Sequence, residues 1–304
     1  MEDNNAIRAL VLGAAAGGGL PQWNCGCANC RLARNPNGGL RPQTQSSLAV
    51  TANGHDWALL NASPDIRSQI EANPVLHPRA LRDTPIASVL VTNGDIDHIA
   101  GLLILREKQP FRLFTTPAIG DILAANPVFE VLDSNCVERI TVALDQPFTL
   151  VNGIEATLFA VPGKLPLFME GENPETALEG EQTVGVELKG SGKRIYYIPG
   201  CGRLTDRLTD RIRGADLLFF DGTVFHDDEM ARAGTGLKTG RRMGHMPMSG
   251  EGGSIDALKG LAIGRTIYVH INNTNPVWQQ GPERRAAEQA GYEIGYDGME
   301  VHLT

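Results

Sequence analysis

Two mixed β-sheets with helices packed outside them are the architecture this sequence predicts. Three observations carry the prediction. Short apolar, β-branched runs recur along the whole length, and helical segments fall between them in separate runs. Several of the apolar runs end in acidic, imidazole or thiol side chains, as strands do where a layered protein keeps its chemistry. With 304 residues, 42% of them hydrophobic, the chain can fill one large core or two modest ones. Because the strand signals never lapse, one domain spanning 1–304 is expected. A net charge of −8 argues against a nucleic-acid surface and fits small or neutral partners. Met1–Asn5 is acidic where a secretion signal is basic. The Ala/Gly-rich segment Leu10–Leu20 is too short to span a bilayer and is followed by Pro21. The expectation is a cytoplasmic protein without membrane insertion.

Ala6–Gly13 reads as a strand that runs into the glycine-rich turn Ala14–Gly19. The Lys and Ser/Thr of a phosphate-binding loop are missing, so these glycines let a loop pass close to a site. Asn24-Cys-Gly-Cys-Ala-Asn-Cys30 follows, with three of the five cysteines inside six residues. Three thiolates at this spacing can converge on one tetrahedral ion, and Gly26 permits the tight wrap. Polar neighbours (Asn24, Asn29, Arg31) argue against buried free thiols, and the third Cys argues against a redox pair. A structural Zn2+ on Cys25, Cys27 and Cys30 is therefore expected in a loop at about 24–31, its fourth ligand supplied from elsewhere.

Ser46–Thr51 and Trp57–Asn61 are strands joined at Asn53-Gly54, a strong hairpin signal. Ser63 can cap a helix that takes Pro64 at its first position and runs toward Ala72. Val89-Leu-Val-Thr-Asn-Gly-Asp-Ile-Asp-His98 is the focal stretch: a buried strand, a turn at Asn93-Gly94, then Asp95, Asp97 and His98 crowded together. One Asp there could merely cap a helix, but two Asp and a His within four residues point to a site. Residues 99–108 read as a helix, Phe111–Thr115 as a strand, and Pro117–Ala125 as a helix. Residues 138–161 supply at least three more strands. Val184–Lys189 and Arg194–Ile198 form a hairpin about Gly190–Gly192, and 204–213 is a helix.

Asp216–Thr223 repeats the focal pattern, an apolar strand ending in Asp221. The Gly-, Lys- and Arg-rich stretch Ala231–Gly244 is a candidate lid, and Lys238, Arg241 and Arg242 could meet a substrate carboxylate or simply be solvated surface. Gly244–Ser249 leads to a helix at 254–260, and Ile267–His270 is again a strand with a polar end. Pro282–Ala290 is a helix. Tyr292–Gly295 and Met299–Leu303 read as a last strand pair turning at Asp297-Gly298, with His302 facing solvent.

Strand ends thus deliver Asp95/Asp97/His98, Cys201, Asp221 and His270, with His245 opening the segment between the last two. His98, His270 and one carboxylate make the two-imidazole, one-acid ligand set of a non-haem Fe2+ site; zinc or manganese would also accept it.

Asn93-Gly-Asp-Ile-Asp-His98 resembles the metallo-β-lactamase superfamily motif His-x-His-x-Asp-His, with its first two His replaced by Asn93 and Asp95. Asp97 and His98 match the Asp and His of the second metal position, and His270 matches the last metal-binding His. The mid-chain His has no counterpart around Val161-Pro-Gly-Lys164, and the bridging Asp position falls at Gly200-Cys201. The cysteine cluster, Phe220-Asp-Gly-Thr223, Gly244-His-Met246 and His270-Ile-Asn-Asn-Thr-Asn-Pro276 extend the likeness over essentially the full chain. The sequence resembles the pyrroloquinoline quinone (PQQ) biosynthesis protein B family. That resemblance implies an αββα sandwich and a role in making the quinone cofactor. It implies an Fe2+-dependent, O2-using hydroxylase acting on the tyrosine ring of a peptide-derived, cross-linked Glu–Tyr precursor, with other PQQ biosynthesis proteins as possible partners. On this reading Asp97, His98 and His270 hold the iron. Asp221 and His245 line the pocket and orient a ligand or move protons, and Asp95 joins the metal or fixes an imidazole. Related cysteine-bearing phosphodiesterases complete their zinc site with a His that corresponds here to Asn273, which leaves Asn273, a water or another side chain as the fourth zinc ligand. Two rival readings are a carrier of PQQ or its precursor toward the periplasm, and a metal-dependent hydrolase, against which the missing ligands argue.

Overall fold

Each sheet is built from the same two kinds of strand. The computed structural model describes residues 6–171 and 175–304; the acidic segment 1–5, read above as unlike a secretion signal, lies outside the described residues. The first sheet takes β1 (Ile7–Gly13), β2 (Ser47–Thr51), β3 (Trp57–Leu60), β4 (Ile86–Leu90), β5 (Phe111–Thr115) and β6 (Val137–Thr141). The second takes β7 (Pro147–Val151), β8 (Ile154–Ala160), β9 (Val184–Gly190), β10 (Lys193–Ile198), β11 (Leu217–Asp221), β12 (Arg265–Val269) and β13 (Tyr292–Ile294). A last strand, β14 (Glu300–Leu303), returns to the first sheet, giving the orders β14-β1-β2-β3-β4-β5-β6 and β13-β12-β11-β10-β9-β8-β7.

In both sheets three antiparallel pairings give way to three parallel ones. β14, β1, β2 and β3 run alternately, and β3 through β6 run together. β7 through β10 alternate, and β10 through β13 run together. The central parallel strands β3 and β11 are buried at every position, as strands covered on both faces must be. That is why Trp57–Leu60 and Leu217–Phe220 are unbroken apolar runs rather than alternating ones. One continuous apolar cluster, from Ile7 to Val301, fills the space between the layers. The carboxyl ends of β4, β11 and β12 lie at the edge where the sheets are stitched together. There the N–H of Ala16 donates to the carbonyl of Ile271 (2.9 Å), and that of Val184 to the carbonyl of Thr92 (2.9 Å).

Several expectations change at the level of elements. The final two strands are not a pair: β13 lies beside β12 in the second sheet, and β14 beside β1 in the first. The Asp297-Gly298 turn carries the chain between sheets, and it does so because Asp297 is tied to the opposite layer. Its carboxylate accepts from the N–H of Ala14 (2.9 Å) and from both the N–H and hydroxyl of Thr44 (2.7 Å each). The helix expected at 99–108 is instead one α-turn, Ile96–Ile99, continued by a 3-10 turn, Ala100–Leu103. Close docking sets that limit, since Gly101 donates to the carbonyl of Ala62 (2.9 Å) and a Cβ on Gly101 would stand 2.2 Å from the carbonyl oxygen of Ser63. The helix after Pro64 begins at Ile66; Ser63 does not cap it but accepts from the N–H of Asp65 and donates to Gln69. The helix expected at 254–260 is the shorter Ser254–Ala257. Ala28–Arg34, inside the cysteine region, forms a helix that the sequence reading did not anticipate. No helix among the described residues is long and apolar enough to cross a membrane.

Candidate metal centre

The focal turn after β4 is shaped by a local hydrogen bond: the side-chain oxygen of Asn93 accepts from the N–H of Asp95 (2.9 Å). Asp95 therefore precedes the helical turn, and Asp97 and His98 sit inside it. From the other sheet, β11 ends in fully buried Asp221 and β12 runs out into His270. His270 has φ +55°, a left-handed conformation that non-glycine residues rarely adopt and that is often found at functional sites.

These strand ends meet. Nε2 of His270 is 3.2 Å and Nε2 of His98 is 3.7 Å from the same carboxylate oxygen, Oδ2 of Asp97. The His98 and His270 rings stand edge to face at 5.4 Å, and their ligand atoms with that of Asp97 all lie within 4.8 Å of one another. Nε2 of His98 is buried and has no hydrogen-bond partner. A buried imidazole nitrogen left in that state costs free energy unless a cation takes it, so the residues fit a metal ion. A second group adjoins the first. Nδ1 of His245 is 2.6 Å from Oδ2 of Asp221, His245 stacks on His270 at 5.1 Å, and Asp221, His245 and His270 also bring ligand atoms within 4.8 Å. Asp95 stands apart from both groups. Its Oδ1 accepts from the N–H of Leu167 (3.0 Å), so it holds the 3-10 turn Leu167–Met169 over the site.

Charge is balanced tightly here. Burial lowers His98 to about 4, against the pull of Asp97. Burial would also lower His270, but the hydrogen bond and charge of Asp97 raise it. Burial raises Asp95, and the neighbouring Asp97 charge adds to that. Asp97 ends below the ordinary carboxylate range because His98 and His270 outweigh its burial. Asp95, Asp97, His245 and His270 line a cavity of about 240 Å3 that Gly17 of the glycine-rich turn also borders. A Cβ on Gly17 would lie 3.4 Å from the Asp97 carboxyl, an ordinary contact, so the turn borders the site without needing glycine at that position. Lys238 and Arg242 line the cavity too, whereas Arg241 turns away to the carbonyl of Glu251 (2.9 Å). Cys201 is a packing residue: its buried thiol lies 3.1 Å from the carbonyl of Arg203, and its N–H donates to Asp221 (2.9 Å).

Sequence reasoning missed two threonines. Oγ1 of Thr223 is 2.8 Å from Nδ1 of His270, 3.1 Å from Nδ1 of His245 and 2.6 Å from Oδ1 of Asp221. Oγ1 of Thr92 is 3.5 Å from Nδ1 of His98 and 3.1 Å from Oδ1 of Asn61. A threonine beside a strand end reads as a β-former, and only its place two residues after Asp221 hinted otherwise.

The three cysteine sulfurs also converge within 4.8 Å of one another. The side-chain amide of Asn273 sits over them, 3.2, 3.6 and 3.3 Å from Sγ of Cys25, Cys27 and Cys30. Turning the amide over would put its oxygen in the same place. Burial raises Cys27 to about 11, and Cys30 adds to it, while hydrogen bonds from Cys27 and Asn273 leave Cys25 lowered despite burial. Three sulfurs in so small a space fit a cation, which would take the place of their protons. Asn29 fixes the facing loop by donating to the carbonyls of Asn273 (2.9 Å) and Asn275 (2.8 Å). The two ligand clusters are thus joined through the segment 270–275.

Comparison with known proteins agrees with this geometry. Residues 56–271 match the Beta-lactamase superfamily domain. Coenzyme PQQ synthesis protein B of Rhizobium meliloti (strain 1021) is 62% identical over 303 residues, covering 100% of each chain. The crystal structure of Zn2+-bound PqqB from Methylobacterium extorquens matches with a TM-score of 0.96 at 53% identity, covering 97% of this chain and 100% of that one. A diphosphatase from the PhnP family, 19% identical, shares the fold with a TM-score of 0.70 over 98% of this chain and 97% of its own. Two mixed sheets with helices outside, metal-ligand clusters at the sheet edge and identity across the whole length all lead to one assignment: the chain belongs to the coenzyme PQQ synthesis protein B family of the β-lactamase superfamily.

Proposed function

We propose that this protein acts in PQQ biosynthesis as a non-haem Fe2+, O2-dependent hydroxylase of the tyrosine ring in a cross-linked Glu–Tyr precursor. The observation that carries the reading is the Asp97–His98–His270 group, one carboxylate and two imidazoles beside an open cavity, with Nε2 of His98 buried and unpartnered. Asn93 and Asp95 stand where a two-metal hydrolase of this superfamily has His, so the focal motif brings one acid and one imidazole, Asp97 and His98, to the set that His270 completes. Iron, when bound, supplies the oxygen chemistry. With one oxygen atom inserted into a ring C–H bond and the other leaving as water, each round takes two electrons and two protons.

The chain's own residues orient and protect. Asp97 is the carboxylate that both imidazoles share. His245, its Nδ1 directed at Asp221, keeps Nε2 free to face a ligand in the cavity. Asp95 holds the Leu167–Met169 turn over the cavity and so limits water. Cys25, Cys27 and Cys30, with Asn273 as the fourth ligand, hold a structural Zn2+ that braces the segment carrying His270.

The test is anaerobic iron loading, then substrate, a two-electron reductant such as ascorbate, and O2, with mass analysis of the product. A gain of whole oxygen atoms, lost in His98→Ala and His270→Ala while the cysteine-bound zinc stays, supports hydroxylation. Unchanged substrate at verified iron occupancy overturns it, and a robust esterase activity in its place would support the hydrolase reading instead.

A further inference from the structure

Opposite charges divide the wall of the cavity. Beside Asp95, Asp97 and the imidazoles it carries Lys164, Lys238, Arg242 and Glu170. Glu170 is buried among the cations: Oε1 is 2.6 Å from Nζ of Lys164, and Oε2 is 3.5 Å from Nη1 of Arg242. Only 7% of the Glu170 side chain is exposed. Burial opposes its charge, but Lys164, Lys238 and Arg242 together hold it ionised. Glu170 is the carboxylate that pairs with these cations, while Asp95 and Asp97 share the same wall. Nη1 of Arg242 is itself buried and makes no hydrogen bond, although it faces that carboxylate. A guanidinium held in this state has donors to spare for an incoming acid.

The cations are held together, whereas the backbone turn that leads into Glu170 has few ties. Gly244 has φ +85°, and a Cβ there would lie 3.1 Å from Cγ of Lys164, so the Arg242 loop presses directly on the lysine stem. The carbonyl of Lys164 accepts from Thr183 (3.1 Å), and Gly163 is bridged to Leu178 on both sides. Beyond Lys164 the anchorage thins. The turn Leu167–Met169 closes on itself, and its tie to the focal motif is the hydrogen bond from Leu167 to Asp95. Leu167, Phe168 and Met169 point substantially into solvent. A cavity of about 240 Å3 is also small for a ligand assembled from two amino acids.

We propose that Lys164, Lys238 and Arg242 form a carboxylate-binding subsite in this cavity, and that Glu170 is its internal occupant, displaced with its turn when a carboxylate-bearing ligand enters. The inference deepens the reading of this cavity as the substrate site and rests on it. Glu170 then acts as a built-in competitor. It keeps the cations neutralised in the free protein and admits ligands that bring their own acid, which selects anionic substrates over neutral ones of the same shape. The alternative is that the lysines and arginine merely offset Asp95 and Glu170.

Benzene-1,3-dicarboxylate, with the matching diamide as its neutral control, separates the two. Both are titrated calorimetrically into the protein as purified, and no O2 or reductant is added. The dicarboxylate should bind and the diamide should not. Glu170→Gln should tighten the dicarboxylate about tenfold, and Arg242→Gln or Lys238→Gln should weaken it about tenfold. Arg242→Lys keeps the charge and should keep most of the affinity, which guards against a glutamine variant that fails to fold. Dicarboxylate binding that ignores these substitutions, or a Glu170→Gln protein that binds it no better, overturns the proposal. Because no turnover is measured, absence of hydroxylation would leave the subsite standing, and absence of charge dependence would leave the metal centre standing.

Discussion

A hydroxyl has one proton to give, and at Thr223 the shortest acceptor is Oδ1 of Asp221, at 2.6 Å. Its oxygen is then the acceptor toward the rings, which makes Nδ1 of His270 (2.8 Å) a donor, so that a metal ion, when bound, would take Nε2 in place of the proton shared with Asp97. Thr92 repeats the device in the first sheet, donating to Oδ1 of Asn61 and facing Nδ1 of His98. Each threonine follows the strand whose end reaches the centre, and each sets the tautomer of one ligand. Thr223→Val should weaken the active-site metal about 10–100-fold in a chelator competition, with Thr223→Ser restoring most of it. Cys27→Ser should release the other metal selectively, so metal analysis should find the cysteine-bound ion lost and the Asp97–His98–His270 ion retained. The residues of these clusters were legible as candidates because Asp and His crowded at strand ends, and three Cys within six residues, have few other uses. The threonines were not, since their partners lie at His98, Asn61, Asp221 and His270, and no local pattern announces them.

The focal helix turn is held by backbone contact rather than by its own length. Ala62 donates to the carbonyl of His98 (2.8 Å), Gly101 donates back to Ala62, and no Cβ fits at Gly101. Gly101→Ala should therefore destabilise the fold by about 3 kcal/mol or more in denaturant unfolding, and should displace His98 with it. Strands were the most legible elements: buried parallel strands write themselves as apolar runs, as in Leu217–Phe220, and Pro117 opens its helix where the sequence places it. Helix Ala28–Arg34 escaped because its buried side is only Asn29, Cys30 and Ala33, too weak a stripe to read. The Leu167–Met169 turn escaped for the opposite reason, an apolar segment that covers a cavity instead of entering a core. Partner choice between distant strands escaped altogether. An Asp-Gly turn between two apolar runs describes a hairpin, and nothing local says that β13 and β14 belong to different sheets.

At the scale of the molecule, the two sheets are near copies in pairing pattern, and the clusters form where their parallel halves meet. Asp297 fastens the layers at the crossing into β14, and burial pushes its carboxyl up to about 6 despite the Thr44 and Ala14 donors. Asp297→Asn can accept from one side only and should cost about 1–3 kcal/mol. The sign of the pH effect follows from the raised value. The proton is bound more tightly in the folded state, so the contribution of this group is full below its unfolded value near about 4 and is lost as pH rises through about 6. Wild type should exceed Asp297→Asn by more at about pH 4.5 than at about pH 7.5 in paired urea titrations, and an equal margin would contradict it.

The return of β14 to the first sheet also sets an order on synthesis. Ile7 leaves the ribosome well before Leu303, yet the two are register partners. At about 5–20 residues per second, the outer edge of β1 waits on the order of tens of seconds for its neighbour. Throughout that interval a nascent chain offers one unpaired edge of a largely apolar strand, Arg8 its single charge, to any other strand that meets it. Aggregation of this protein should therefore begin on crowded polysomes, and a chaperone that covers β1 until β14 is made should raise the soluble yield more than one added after release.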